Sequence, residues 1–138
     1  MNASALLDTN ILLYAISTAA DERPKRTIAR NLLARDDYGL SVQVLQEFYV
    51  NATRSPKPAL THQAAVDAVR ELARVPVVAM DIPLMERALR LKSRYQLSYW
   101  DAAIVAAAKA LGAGVLYSED LNHRQLYDGV RVENPFLN

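Results

Sequence analysis

The stretch ALLDTNILLYAI at residues 5–16 decides the fold. Its first three residues form a short apolar run, which is typical of a strand buried in a parallel sheet. Asp8, Thr9 and Asn10 follow, all three favoured where a helix starts, and an apolar helical pattern begins at Ile11. A buried strand that leads directly into a helix is the repeating unit of an α/β domain, so we expect more such units along the chain.

Short apolar runs and helical patterns alternate through the rest of the sequence. Strands are predicted at residues 5–7, 38–41, 75–79, 115–117 and, from a weaker run, 130–132. Helices are predicted at residues 11–17, 25–35, 42–53, 62–74, 83–95 and 99–111. We therefore expect one α/β domain over residues 1–138, with a parallel sheet of four or five strands and helices on both faces. Such sheets bind ligands at the carboxyl ends of their strands.

The composition excludes several classes of protein. The 138 residues are 51% hydrophobic and 22% charged, which is typical of a globular domain. There is no cysteine, so disulfides and thiolate metal sites are excluded, and a net charge of +1 does not by itself indicate nucleic-acid binding. We find neither a signal-peptide pattern nor an apolar run long enough to cross a membrane, and expect a cytoplasmic protein without a membrane anchor.

Two aspartates come after predicted strands. Asp8 directly follows the first strand, and Asp120 comes shortly after the fourth. Each has a structural explanation, as the cap of a helix that begins at Ile11 or Leu121, because aspartate accepts hydrogen bonds from the first backbone amides of a helix. The carboxyl ends of parallel strands share one edge of a sheet, so both aspartates are also candidates for a site at that edge.

Two further acids lie on helices. Asp101 begins the run DAAIVAAA, which predicts a largely buried helix. Ser98, three residues earlier, indicates a capping box. A carboxylate in the first turn of an apolar helix is nevertheless costly to dehydrate unless it is paired or binds a metal, and the adjacent Tyr99 and Trp100 are expected to exclude water. Glu47 flanks the apolar stripe of its helix, where a solvated boundary glutamate is the simpler explanation. Neither acid alone indicates a function.

The joint pattern of these acids indicates a metal site. They can converge on one edge of the sheet, where like charges would raise each other's pKa unless a cation neutralised them. Carboxylate oxygens without thiolates favour Mg²⁺, with Mn²⁺ as the alternative. Magnesium held by a few carboxylates keeps several waters, and one of them can attack a phosphate ester. The predicted metal ligands and catalytic residues are Asp8, Glu47, Asp101 and Asp120.

Four segments, taken in order, carry a family resemblance: LLDTNILLYA (6–15), SVQVLQEFYVNATR (41–54), LSYWDAAIVAAAKALG (97–112) and VLYSED (115–120). With them the chain resembles PIN-domain ribonucleases, and most of all the VapC-type toxins of bacterial toxin-antitoxin pairs. The resemblance implies the strand order 3-2-1-4-5 and an endoribonuclease that cuts RNA with Mg²⁺. It also implies a homodimer and a small antitoxin protein as partner, with divalent metal at Asp8, Glu47, Asp101 and Asp120.

Several neighbouring residues leave alternatives open. Thr9 and Ser118 match hydroxyl positions that support the site in the family, although a role in turns explains them equally well. Some relatives carry a further aspartate where this chain has Asn122, and Glu119 is an alternative to Asp120. His123 is a residue that could touch substrate phosphate, but water activation by a metal needs no histidine.

Two other functions share parts of this pattern. A haloacid-dehalogenase-type phosphatase also has an aspartate after its first strand, but its second aspartate would fall on Asn10. A non-catalytic PIN-like module that binds RNA or protein would keep the fold, yet such modules typically lose acids that this chain retains. The sequence therefore favours the nuclease over both alternatives.

Overall fold

The computed structural model describes residues 2–137, and its centre is a six-stranded sheet. The first three strands are separated in sequence by helices, whereas the last three follow one another closely. The strands are β1 (Ala5–Leu7), β2 (Tyr38–Ser41), β3 (Val77–Val78), β4 (Val115–Tyr117), β5 (Leu126–Tyr127) and β6 (Val130–Glu133). Buried apolar side chains dominate the central strands, as expected for a sheet covered by helices.

The strand order is β3-β2-β1-β4-β6-β5, and all neighbours pair in parallel except β5 and β6. This order confirms the expected 3-2-1-4-5 arrangement, since the predicted fifth strand is β6. The prediction missed β5, which forms an antiparallel hairpin with β6 at the edge of the sheet. The chain adds β2 and β3 on one side of β1 and then crosses over to add β4 on the other side. The point where the strand order reverses therefore lies between β1 and β4.

Six α-helices surround the sheet within the described chain. They are α1 (Thr9–Ile16), α2 (Arg23–Leu33), α3 (Val42–Ala52), α4 (His62–Leu72), α5 (Ile82–Tyr95) and α6 (Tyr99–Ala110), with a 3-10 turn at Ala20–Glu22. Each lies where the sequence predicts one, although α1 begins at Thr9 because Asp8 caps it, and α2 begins at Arg23 because Pro24 suits a first helical turn. No helix in the described part of the chain is long and apolar enough to span a bilayer.

Helix α6 forms the centre of the core. Its residues 102–108 are all buried, which confirms the buried helix predicted from their composition. Small alanine side chains allow close approach, and α6 packs against α5 and against the strands β4 and β6. The first turn of this buried helix is where Asp101 lies.

Candidate metal centre

Asp8 lies at the carboxyl end of β1, at the point where the strand order reverses. Leu7 pairs with Tyr117 of β4, and the backbone amide of Asp8 continues this ladder with a 3.0 Å hydrogen bond to the Tyr117 carbonyl. The residues after β1 and β4, Asp8 and Ser118, are therefore neighbours although 110 positions separate them. Asp8 is buried, with 7% of its surface exposed, and Ser118 is fully buried.

Both carboxylate oxygens of Asp8 are held in place. Its Oδ1 accepts a 2.7 Å hydrogen bond from the Thr9 amide at the start of α1, so the helix-cap explanation is confirmed. Its Oδ2 accepts a 2.6 Å bond from the Ser118 hydroxyl, which no capping role requires. Burial raises the pKa of Asp8 from 3.8 to about 6, and the charges of Asp120 and Glu47 add to this rise while the two hydrogen bonds oppose it.

Glu47 is brought to the same place by α3. The Thr9 hydroxyl donates a 3.0 Å hydrogen bond to its Oε1, and Gln43, one turn earlier on α3, approaches the same oxygen at 3.4 Å. The Oε2 atom has no hydrogen-bond partner among residues 2–137. Glu47 is thus oriented by one oxygen, while the other remains able to accept a hydrogen bond or bind a cation.

Asp120 lies on the exposed rim of the site. The Asn10 side chain donates a 3.1 Å hydrogen bond to its Oδ2, and its own amide donates to the Ser118 hydroxyl at 3.1 Å. No helix follows at Leu121, where the chain only bends, so the helix-cap explanation for Asp120 is wrong. Ser118 consequently links Asp8 and Asp120, and the α1 residue Asn10 supports the link from the other side.

Asp101 is in the first turn of α6, and it is half-buried. Ser98 caps this helix by accepting a 3.1 Å bond from the Asp101 amide, whereas the Asp101 carboxylate makes no hydrogen bond within the described chain. Gln43 spans between Glu47 and the Trp100 carbonyl, at 3.4 Å from each, so α3 and the start of α6 are adjacent. The expectation that Trp100 excludes water is wrong, because 64% of this residue is exposed.

The oxygen donors present here fit Mg²⁺ or Mn²⁺. No lysine or arginine within residues 2–137 forms an ion pair with Asp8, Glu47 or Asp120, so their charges are not compensated by the protein. The Oδ1 atom of Asn10 is buried without a hydrogen-bond donor in the same part of the chain, and is a further oxygen for a cation. The described side chains do not form a ready-made metal cage of three or more acids or histidines. The side chains thus provide hard oxygen donors and an unbalanced negative charge, but not a closed set of ligands.

Other polar residues near this edge have different partners. Glu119 accepts hydrogen bonds from the Tyr14 hydroxyl at 2.5 Å and from Lys25 at 3.0 Å, which favours Asp120 as the acid of the site. His123 accepts a 2.9 Å bond from the Asn134 amide, and Asn122 donates to Gln125 at 2.8 Å, so both belong to the loop after β4.

Sequence reasoning missed the contribution of two residues to the site. Gln43 joins Glu47 to the first turn of α6, and Asn10 supports Asp120. The spacing of Gln43 and Glu47, four residues apart on one helix, is a signal that could have found the first. The contact of Asn10 with Asp120 joins residues 110 positions apart, and local sequence carries no signal for it.

The fold and the site define a class of protein: an α/β domain with acidic side chains at the carboxyl edge of its sheet, at the ends of the paired strands β1 and β4. The family model for the PIN domain matches residues 5–129, and the chain belongs to the PIN domain family. A comparison with curated protein sequences gives no significant match.

Solved structures show the same fold. A chain of a toxin-antitoxin complex from Klebsiella pneumoniae is 22% identical with a TM-score of 0.71, the match covering 96% of this chain and 98% of that one. VapC20 from Mycobacterium tuberculosis, a sarcin-ricin loop cleaving toxin, is 24% identical with a TM-score of 0.66, covering 85% and 90%. FitAcB from Neisseria gonorrhoeae gives 19% identity and a TM-score of 0.70, covering 96% and 98%. The fold is therefore that of chains found in toxin-antitoxin complexes.

Proposed function

We propose that this protein is a metal-dependent endoribonuclease that hydrolyses RNA phosphodiester bonds with Mg²⁺. The observation that carries the proposal is the buried carboxylate of Asp8, whose pKa is raised by burial and by the nearby charges of Asp120 and Glu47. A buried acid with further acids beside it, at the ligand-binding edge of the sheet, is typical of a functional site. Membership in the PIN domain family supports the same activity.

Asp8, Asp101 and Asp120 are the proposed metal ligands, with Glu47 as a ligand or as the group that orients the attacking water. A bound divalent ion would activate water and stabilise charge on the phosphate oxygens. Ser118 and the Thr9 amide fix both oxygens of Asp8, so this ligand is already oriented before substrate arrives. Thr9 and Gln43 hold Oε1 of Glu47, which leaves Oε2 to accept a hydrogen bond from water. In-line attack would leave a 5′-phosphate and a 3′-hydroxyl.

We also propose that the protein is the toxin of a toxin-antitoxin pair. The structural neighbour from Klebsiella pneumoniae, which this chain matches over 96% of its length, is part of such a complex. A short reading frame for a DNA-binding protein beside this gene, whose product copurifies with the chain, is the expected observation. A gene with no such neighbour would contradict the toxin assignment while leaving the nuclease assignment intact.

A homodimer is proposed from an exposed apolar strip on α5. Ile82, Met85 and Leu89 lie on one face of this helix and are 68%, 40% and 46% exposed. Burying them against a second copy would remove apolar surface from water. Sedimentation should therefore give twice the 15.3 kDa mass of the chain, and Leu89→Glu should shift the protein to monomer. A wild-type protein of monomer mass at micromolar concentration would contradict the homodimer.

Cleavage of RNA with and without metal tests the proposed activity. Purified protein incubated with cellular RNA should produce fragments with ligatable 5′-phosphates in Mg²⁺ or Mn²⁺, and none in excess chelator. RNA binding without cleavage at any concentration of either metal would favour the non-catalytic PIN-like module. A covalent aspartyl-phosphate trapped during turnover would instead revive the phosphatase, although Asn10 occupies the position of its second aspartate.

A further inference from the structure

A cavity lined by several charged side chains lies away from the acidic site, between α5, α6 and the turn that joins β5 to β6. It has a volume of about 420 Å³, within the range of about 300 to 1,000 Å³ typical of small-ligand sites. Four of its lining residues are cationic and one is acidic: Arg87, Arg90, Arg94, Lys109 and Asp128. The cavity therefore has a local excess of positive charge on a chain whose net charge is only +1.

Half of this positive charge has a partner inside the protein. Lys109 donates a 2.8 Å hydrogen bond to the Asp128 carbonyl, and Arg94 lies 3.9 Å from the Asp128 carboxylate. Arg87 and Arg90 form no ion pair or side-chain hydrogen bond with any residue in the range 2–137. Two guanidinium groups thus line a concave surface without an acceptor, which is the arrangement that binds an anion.

We propose that this cavity binds phosphate groups of the RNA strand outside the cleavage site. Arginine offers a planar set of donors that matches two phosphate oxygens at once, and Arg87 and Arg90, one turn apart on α5, can act together. The cavity extends the substrate surface of the proposed nuclease, and the inference rests on that function for the identity of the phosphate donor.

The position of the cavity suits a continuous RNA strand. Lys109 lies on the same helix as Asp101, eight residues later, which is about 12 Å along the axis of α6. The cavity and the acidic site are thus near opposite ends of α6, within the length of a short oligonucleotide. Because residues 102–108 of α6 are buried, an RNA strand that reaches both places passes over the surface beside this helix.

Dimer formation through α5 would leave the cavity open. At about 100° per residue, the basic side chains at positions 87, 90 and 94 lie about 140° around the helix from the apolar strip at positions 82, 85 and 89. The buried residues Leu84, Ala88 and Leu91, which contact the core, lie on the wider arc between the two faces, and the exposed Glu86 lies on the arc of 140°. The two exposed faces of α5 are therefore separate surfaces, one apolar and one basic.

RNA binding by a charge-neutralised variant tests this inference. Arg87→Gln and Arg90→Gln are introduced together into the Asp8→Asn protein, and the affinity for a single-stranded RNA oligonucleotide is measured by fluorescence anisotropy over a range of salt concentrations. Loss of two phosphate contacts should weaken binding about tenfold at low salt and reduce the slope of log K against log salt by about 1.4. The control with the same change of charge is Arg70→Gln with Arg74→Gln, two exposed arginines in the last turn of α4 and two residues beyond it, of which Arg74 forms an exposed ion pair with Glu71.

The inference is overturned if the variant with both Arg87→Gln and Arg90→Gln binds RNA as tightly as the Asp8→Asn protein. It is also overturned if the control variant loses as much affinity for RNA as this variant does. Competition by polyglutamate with no effect of the variant on RNA binding would assign the cavity to an acidic protein partner instead. Competition by a mononucleotide alone, again without an effect on RNA, would assign it to a free nucleotide and likewise overturn the RNA assignment. Cleavage by the wild-type protein is measured separately. Absence of cleavage, with RNA binding that still depends on Arg87 and Arg90, would contradict the nuclease activity alone. Cleavage by a protein whose RNA binding does not depend on these arginines would contradict the role of the cavity alone.

Discussion

Replacing Asp8 by asparagine is expected to reduce RNA cleavage by about 1000-fold or more, since metal-ion catalysis supplies several kcal/mol of stabilisation to the transition state. Asparagine has nearly the same shape but lacks the negative charge that a divalent ion needs. The rate is measured on a defined RNA substrate in Mg²⁺, and cell growth is measured during expression. Asp67→Asn, which neutralises an exposed acid on α4, is the matched control and should retain the wild-type rate.

The same Asp8→Asn variant should fold about as stably as the wild-type chain in metal-free buffer. Burial and the charges of Asp120 and Glu47 disfavour the charged form of Asp8, which offsets the loss of one of the two hydrogen bonds that its carboxylate accepts from Thr9 and Ser118. The thermal midpoint by circular dichroism is therefore expected to stay close to that of the wild type. Retained cleavage, or a large fall in the midpoint together with lost activity, would contradict a catalytic role for Asp8.

Asp101→Asn is expected to have the second-largest effect, a loss of cleavage of about 100-fold or more without loss of stability. The cap of α6 uses the Asp101 amide and the Ser98 hydroxyl, so the carboxylate is not needed to start the helix. Cleavage and the free energy of unfolding are measured on the same preparation. An Asp101→Asn protein that cleaves RNA normally would remove this acid from the proposed ligand set.

Ser98→Ala is the complementary control for Asp101. It removes the side chain that caps α6 but keeps the carboxylate, and should lower the free energy of unfolding by about 1 kcal/mol. Its cleavage rate should remain close to wild type at a temperature where both proteins are folded. If Ser98→Ala and Asp101→Asn lost stability and activity in parallel, Asp101 would be a structural residue.

Most of the α/β architecture could be predicted from local sequence, because buried strands and amphipathic helices have different periods. The order of strands came instead from the family resemblance, since apolar runs do not say which strands pair. The hairpin of β5 and β6 was missed although it had a local signal. Asp128 and Gly129 both adopt positive φ, 52° and 84°, and an Asp-Gly pair between short strands is typical of a two-residue hairpin turn.

The acidic site was only partly predictable. Asp8 and Asp120 follow strands, and parallel strands place such residues at one edge, so their proximity could be anticipated. The hydrogen bonds that orient them were not predictable in the same way, because Ser118 and Asp8 are 110 residues apart, and Thr9 and Glu47 are 38 apart. The exposure of Trp100 was mispredicted because residues beside a buried helical turn can still face outward.

The position of a bound ion tests the central claim most directly. Crystals of the wild-type protein grown with Mn²⁺ and measured near the manganese absorption edge would show the ion by its anomalous scattering. We expect a peak in contact with carboxylate oxygens of Asp8 and Asp120, lost in Asp8→Asn crystals treated identically. Anomalous density confined to other parts of the surface, with ordered but metal-free acids at the ends of β1 and β4, would contradict a shared divalent ion.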